Sequence, residues 1–201
     1  MNKIFQAEQV LLWFKQVLTN APLCEKLKKI KFMVTDVDGC LTNNNITLMD
    51  SLDEGKDFSI QDGYAIKQSV EKGLLQIALL TGRVSESTRA RAARIKILPE
   101  LCVMGVVEEK EATVIKMQHD FNFTKEETLF FGDAVQDYKV RSVVGLSAAP
   151  ANAVFYVHQA ADVKLPLKGG HGAMRLLIDL ILYLQNKHFA QELITAALAE
   201  K

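Results

Sequence analysis

Short apolar runs alternate with longer amphipathic stretches along most of the chain. Val10, Leu11, Phe14, Val17 and Leu18 recur at helical spacing, so one amphipathic helix is expected across residues 6–27. The period then changes. Ile30–Thr35 is an unbroken apolar run rich in β-formers, and similar runs follow at Leu74–Thr81, Leu101–Met104, Thr128–Phe131, Val143–Ser147 and, more weakly, Asp162–Leu165. Helical stretches lie between them at Asp62–Lys72, Ser85–Ile95, Glu109–Asp120 and Val135–Arg141. Strands without polar alternation must be covered on both faces, so the pattern implies an α/β fold, a doubly wound, Rossmann-like parallel sheet.

Two segments break this rhythm. Residues 41–58 are polar, carry Asn43-Asn44-Asn45 and Asp53-Glu54-Gly55, and alternate at Ile46–Met49, which reads as a β-hairpin inserted after the first strand. The tail from Ala173 to Glu200 is helical by pattern and follows Lys168-Gly169-Gly170-His171-Gly172, expected as a flexible hinge. The expected organisation is therefore an N-terminal helical extension (1–29), a central domain (30–185) and a C-terminal helical tail (186–201).

Composition narrows the classes. The chain has 201 residues, which suits one core, and its 49% hydrophobic and 24% charged residues are those of an ordinary globular protein. A formal net charge of +0 gives no basic surface for nucleic acid or an anionic membrane. Three scattered cysteines, Cys24, Cys40 and Cys102, with no CxxC pair, argue against a disulfide framework or a zinc site. No apolar run approaches the roughly 20 residues of a membrane span, and Glu8, Lys15 and Gln16 interrupt any signal-like start, so a cytoplasmic protein is expected.

In open parallel sheets, ligands sit beyond the carboxyl ends of the strands. After the first strand come Asp36 and Asp38 of Asp36-Val37-Asp38-Gly39, which in an extended segment point the same way. Two adjacent carboxylates call for a cation, and Mg²⁺ suits an all-oxygen donor set. An EF-hand counted from Asp36 would need Gly and Glu where Leu41 and Thr47 stand. An acidic surface turn remains open for the tetrapeptide alone. The second strand ends in Thr81-Gly82-Arg83 before a helix start, a natural donor set for a phosphate oxygen or a plain N-cap. Lys110 follows the third strand, and Gly132-Asp133, with Asp137 four residues on, follows the fourth.

Four successive strand ends thus carry acid–acid, hydroxyl, amine and acid. In this order the residues resemble the haloacid dehalogenase-like phosphatases, over about residues 30–180. Within that superfamily, the lack of a large cap, the hairpin after the first motif and Gly169-Gly170-His171-Gly172-Ala173-Met174-Arg175 are similar to the small tetrameric subfamily. That subfamily holds phosphatases of 3-deoxy-D-manno-octulosonate 8-phosphate and of nine-carbon sugar-acid phosphates. Phe58–Gly63 and Gly145–Ala153 are similar to its segments as well. The chain departs from the pattern at Ala134, where a second Asp is usual, at Gln136 in place of Asn, and by one extra residue between Gly105 and Lys110, which leaves Lys116 as an alternative amine.

The resemblance implies a Mg²⁺-dependent phosphomonoester hydrolase acting on a small sugar-acid phosphate. Asp36 would be the nucleophile, forming an aspartyl-phosphate, and Asp38 the general acid/base. Mg²⁺ would be held by Asp36, Asp133 and the backbone carbonyl of Asp38. Thr81 and Lys110 would hold the transferring group, and Asp137 would orient Lys110 or a metal-bound water. Arg83 and Arg91 are candidates for the sugar-acid carboxylate, and Gly169, Gly170 and Arg175 for closing a neighbour's site in a homotetramer. Arg after Thr-Gly favours the octulosonate substrate over the nine-carbon acids. Two other classes stay in view. A phosphoacceptor signalling module would place its Asp after a middle strand, and a non-catalytic scaffold would tolerate Ala134.

Overall fold

The structure is a computed structural model that describes residues 3–48 and 54–199. Its centre is a six-stranded sheet in the order β5-β4-β1-β6-β7-β8, with every neighbouring pair parallel. The strands are β1 (Phe32–Thr35), β4 (Gln76–Thr81), β5 (Cys102–Met104), β6 (Thr128–Phe131), β7 (Leu146–Ala149) and β8 (Val163–Lys164). The four residues of β1 and the four of β6 are all buried, as the unbroken apolar runs required. Phe32 at the centre is fully buried and stacks on Phe123 at 4.8 Å. Burial of such a ring contributes about 1.5–3 kcal/mol.

The hairpin appears as a separate two-stranded antiparallel pair, β2 (Thr47–Leu48) and β3 (Glu54–Gly55), with a further bridge between Thr42 and Phe58. The residues between those strands, including Met49 and Asp53 of the expected pattern, lie outside the described residues. The remaining helices are α3 (Ile60–Glu71), α4 (Glu86–Arg94), α5 (Lys110–Asp120), α6 (Val135–Tyr138), α7 (Phe155–Ala160), α8 (Ala173–Leu184) and α9 (Gln191–Ala199).

The N-terminal helix expected across 6–27 is two helices, α1 (Lys3–Leu18) and α2 (Ala21–Leu27). Asn20 breaks the run, because its side chain accepts from Leu23 N at 3.2 Å and caps the second helix. Pro22 sits in that helix's first turn, where no N–H is needed. Both helices pack on the domain. The Trp13 indole donates to the Lys164 carbonyl at 2.6 Å, and the Phe14 ring meets Tyr183 edge-on at 5.6 Å.

Other boundaries moved for identifiable reasons. Val143 closes a 3₁₀ turn (Lys139–Val143), and its carbonyl accepts from Gln118 Nε2, so the strand expected at Val143–Ser147 begins only at Leu146. The same turn ends the helix expected over 135–141 at Tyr138. Helix α7 was not expected, because Phe155 and Tyr156 are exposed and give no amphipathic period. The continuous tail helix is interrupted after Leu184: Asn186 takes the left-handed conformation (φ 55°), and His188 turns in to Asp179 at 2.9 Å.

The glycine-rich segment before α8 is not a flexible hinge. Gly169 is buried against the loop after β1, where a Cβ would lie 1.9 Å from the Gly39 carbonyl oxygen. Asn152 locks the contact from the side, donating to the Gly39 carbonyl at 2.9 Å and accepting from Gly169 N at 2.6 Å. Asp62 completes the seam by accepting from Gly172 N (3.2 Å) and Arg175 N (2.8 Å), and so caps α8 from α3.

Candidate active site

The chain runs from β1 outward to β4 and β5, then returns to β6 on the other side of β1. The strand order therefore reverses between β1 and β6, and the crevice there is where open α/β sheets bind ligands. Asp36 continues β1 by one residue, its N–H donating to the Phe131 carbonyl at 2.9 Å. Asp133 stands two residues past β6. The two carboxylates face one another across the reversal, and with Asp137 they bring ligand oxygens within 4.8 Å of each other. Gly39 makes the approach possible: its φ is +89°, and a Cβ there would sit 2.1 Å from Asp133 Oδ2.

Lys110, the first residue of α5, enters this cluster from the β5 side. Its Nζ lies 3.2 Å from Asp36 Oδ1 and 2.7 Å from Asp137 Oδ1. The other Asp137 oxygen accepts from the N–H groups of Asp133 (2.9 Å) and Ala134 (3.0 Å). Asp137 is thus fully engaged as a bracket for Lys110 and the Gly132-Asp133-Ala134 turn. Lys116, the alternative amine, lies on the exposed side of α5, paired with Asp120.

The cluster is short of positive charge. Asp36, Asp133, Asp137 and Lys110 are all buried, which sets three acids against one amine. Burial, then the Asp137 charge, push the Asp36 carboxyl up to about 7, with Lys110 opposing. Burial, then Asp36 and Asp137, push Asp133 up to about 7 as well. Burial alone would lower Lys110, but the neighbouring Asp36 and Asp137 charges outweigh it and raise it. Among the described residues, the Asp133 carboxylate takes a long contact from the Cys40 thiol, at 3.8 Å. An all-oxygen, charge-deficient pocket of this kind fits a hard divalent cation such as Mg²⁺, with Asp133 and the Asp36 oxygen that Lys110 does not hold as the candidate ligands.

This deficit yields a prediction with a stated sign. Because both carboxyls are raised in the folded protein, the metal-free chain loses stability as pH rises from about 4, the unfolded value, to about 7, and the cost persists above. Mg²⁺ held by the ionised carboxylates would offset the cost. A metal concentration 100-fold above its Kd should raise Tm by about 5–10 °C at pH 8. The rise should fall to less than half of that at pH 5.5, and a pH-independent rise would rule out Asp36 and Asp133 as the ligands.

Asp36, Asp38, Thr81 and Lys110 line one cleft of ≈ 220 Å³, with Gly82, Arg83 and Val107 on one wall and Ala134 and Gln136 on the other. Thr81 ends β4 and is buried. Arg83 is therefore placed beside the acids. Arg91 is not: its guanidinium donates to the Ser59 carbonyl at 2.8 Å, lies over the Phe58 ring and occupies the space left by Gly63. Gly169 and Gly170 brace the loop after β1 within their own chain and do not line its cleft. The Arg175 side chain is held by both oxygens of Asp179 at 2.8 and 2.6 Å, away from the cleft.

Two contacts at the site were not legible in the sequence. Lys56 meets both oxygens of Asp38, at 2.8 and 3.0 Å, and Asn152 clamps the Gly39 carbonyl. A lysine after a polar hairpin and an asparagine between alanines each read as surface residues, since their partners are 18 and 113 positions away.

Comparison with known proteins adds to this geometry. No profile of a known protein family matches the chain. It is 36% identical over 163 residues to 3-deoxy-D-manno-octulosonate 8-phosphate phosphatase of Haemophilus influenzae, spanning 81% of this chain and 88% of that protein. The cobalt-bound structure of the Haemophilus influenzae octulosonate phosphatase superposes with a TM-score of 0.77 at 35% identity, over 85% of this chain and 99% of the other. A Moraxella catarrhalis enzyme of the same description, solved with magnesium, phosphate and its sugar acid, gives a TM-score of 0.77 at 25% identity, over 86% and 95% of the two chains. Among the described residues no helix is long and apolar enough to cross a membrane.

Proposed function

The chain belongs to the haloacid dehalogenase-like phosphatase family, alongside the 3-deoxy-D-manno-octulosonate 8-phosphate phosphatases, and from that premise we propose that it hydrolyses this sugar-acid phosphate through Asp36. The observation that carries the site reading is the buried set of Asp36, Asp133, Asp137 and Lys110 at the sheet's reversal point, opening on a cleft with Asp38 and Thr81. Asp36 attacks phosphorus along the line of the ester bond. The Asp36 oxygen–phosphorus bond forms as the bond to the sugar oxygen breaks. Asp38 enters the cycle protonated, delivers that proton to the leaving oxygen and regains one from the water that cleaves the acyl phosphate.

Lys110 and the Thr81 hydroxyl hold the equatorial phosphoryl oxygens, and Asp137 keeps the lysine aimed. Asp36, Asp133 and the Asp38 carbonyl would hold Mg²⁺, which would supply the positive charge that lets a phosphate dianion approach a carboxylate. Arg83, on the cleft wall, is suited to pair with the sugar-acid carboxylate.

At ≈ 220 Å³ the cleft is smaller than the roughly 300–1,000 Å³ of a site that encloses a whole ligand, which favours completion by another subunit. Leu48 on the hairpin and Ile60 beside it are 74% and 84% exposed, suited to contacts in a cytoplasmic homotetramer.

The test is phosphate release from octulosonate 8-phosphate and from a nine-carbon sugar-acid 9-phosphate, each with Mg²⁺ and with excess chelator. Turnover of the octulosonate ester at least about 10-fold faster, lost with chelator, is expected, since one well-placed contact is worth about that much. A preference for the nine-carbon acid would overturn the substrate assignment, and chelator-resistant turnover the mechanism.

A further inference from the structure

Lys56 takes no part in the steps proposed for Asp36, Asp38, Thr81 and Lys110. Its side chain is fully buried, and its ammonium lies 2.8 and 3.0 Å from the two oxygens of Asp38 and 3.4 Å from Thr88 Oγ1. Three separate elements meet there. Lys56 directly follows β3, the returning strand of the hairpin; Asp38 belongs to the loop after β1; Thr88 is a buried residue of α4. Taking an ammonium out of water is costly unless an anion and further acceptors receive it. Here the anion is a residue of the cleft itself. Asp38 lines the cleft while both of its oxygens meet Lys56, which is not among the residues lining the cleft.

A carboxylate on a loop has two free torsions, and a general acid must present a chosen oxygen within hydrogen-bond reach of the leaving group. An ammonium against both oxygens removes that freedom. We infer that Lys56 is a positioning residue for the phosphoryl transfer: it holds the Asp38 carboxylate in the attitude that serves the leaving oxygen, and it makes that attitude depend on where the hairpin sits. This rests on the reading of Asp38 as general acid/base. A staple that merely tied the hairpin to the domain would serve all substrates alike, whereas an aiming device matters most where the leaving group needs its proton.

Single-turnover alcohol release by the Mg²⁺-loaded protein distinguishes the two. The substrates are an alkyl phosphate, with a poor leaving group, and p-nitrophenyl phosphate, with a good one. Lys56→Met should slow the alkyl ester by about 10–100-fold, within the contribution of an aligned general acid, and p-nitrophenyl phosphate by no more than about 3-fold. Asp38→Asn should show the same selectivity with a larger loss, and adding Lys56→Met to it should cost no more than about 2-fold further, because the two act as a unit. Lys56→Arg, which keeps the charge but moves the donors, should recover part of the alkyl rate.

Equal slowing of both esters by Lys56→Met, or none, with Asp38→Asn still selective, overturns the inference and leaves the Asp38 reading intact. An unselective Asp38→Asn overturns both. If Lys56→Met fails to show the Mg²⁺-induced rise in Tm, Lys56→Arg carries the decision: selective slowing relative to the parent supports aiming, and an unselective or absent effect refutes it.

Discussion

Asp36→Asn is expected to abolish turnover, by at least about 10⁴-fold, the scale on which loss of a covalent nucleophile is measured. The substitution preserves shape and removes the attacking oxygen anion, so substrate should still enter the cleft. A second effect has the opposite sign. Burial and the Asp137 charge push Asp36 up to about 7, so at pH 8 the folded, metal-free protein carries an ionised group it accommodates poorly. A neutral amide removes that cost. The variant should therefore unfold at a higher temperature than the parent at pH 8 without Mg²⁺, and the gap should close near pH 5, where Asp36 holds its proton. Activity and stability would then be opposed at a single residue, as expected where a site stores unfavourable charge. Retained Mg²⁺-dependent turnover in the variant would remove Asp36 from the mechanism.

Lys110→Met should cost more stability than any other change in the cluster. Lys110 is the one amine among three buried acids, and its partners Asp36 and Asp137 stand 3.2 and 2.7 Å away. Removing one side of a buried pair costs about 3–5 kcal/mol, because the remaining charges are left without compensation. The pH dependence follows from the acids. Lys110 itself is raised, so its contribution is fully present below about 10.4, its unfolded value, and is constant through the neutral range. The damage should consequently be large at pH 8 and much smaller at pH 5, where Asp36 and Asp133 take up protons. Unfolding in denaturant at the two pH values reads this directly, and equal losses at both would show that Lys110 acts through packing rather than charge. Turnover should fall by about 10²–10³-fold, the effect of losing one preorganised donor to the phosphoryl oxygens.

The parallel sheet was legible because its signal is local. A strand buried on both faces must be an unbroken apolar run, and Ile30–Thr35, Leu74–Thr81 and Thr128–Phe131 each contain the strand observed. Boundaries failed where a single side-chain bond overrode the period. Asn20 capping α2 split the first helix, and the Gln118 bond to the Val143 carbonyl displaced the strand that follows. The glycine-rich segment misled for a related reason. Glycine marks flexibility and close approach equally well, and only the facing Gly39 carbonyl reveals that Gly169 serves close approach.

Motif order alone was enough to list the reacting groups, since acids, hydroxyl and amine stand at the ends of successive strands. Asp36 and Asp133 could be named because each stands within two residues of a strand that the apolar pattern locates. Which charges meet became visible in the folded chain alone. Lys110 rather than Lys116 reaches the acids because of where α5 starts. Asp137 is spent as a bracket, Arg91 is committed to Ser59 and Phe58, and Lys56 stands behind Asp38. The physical reason is range. Periodicity and turn chemistry act over a few residues, while an ion pair or a close backbone approach joins positions that only the folded sheet brings together.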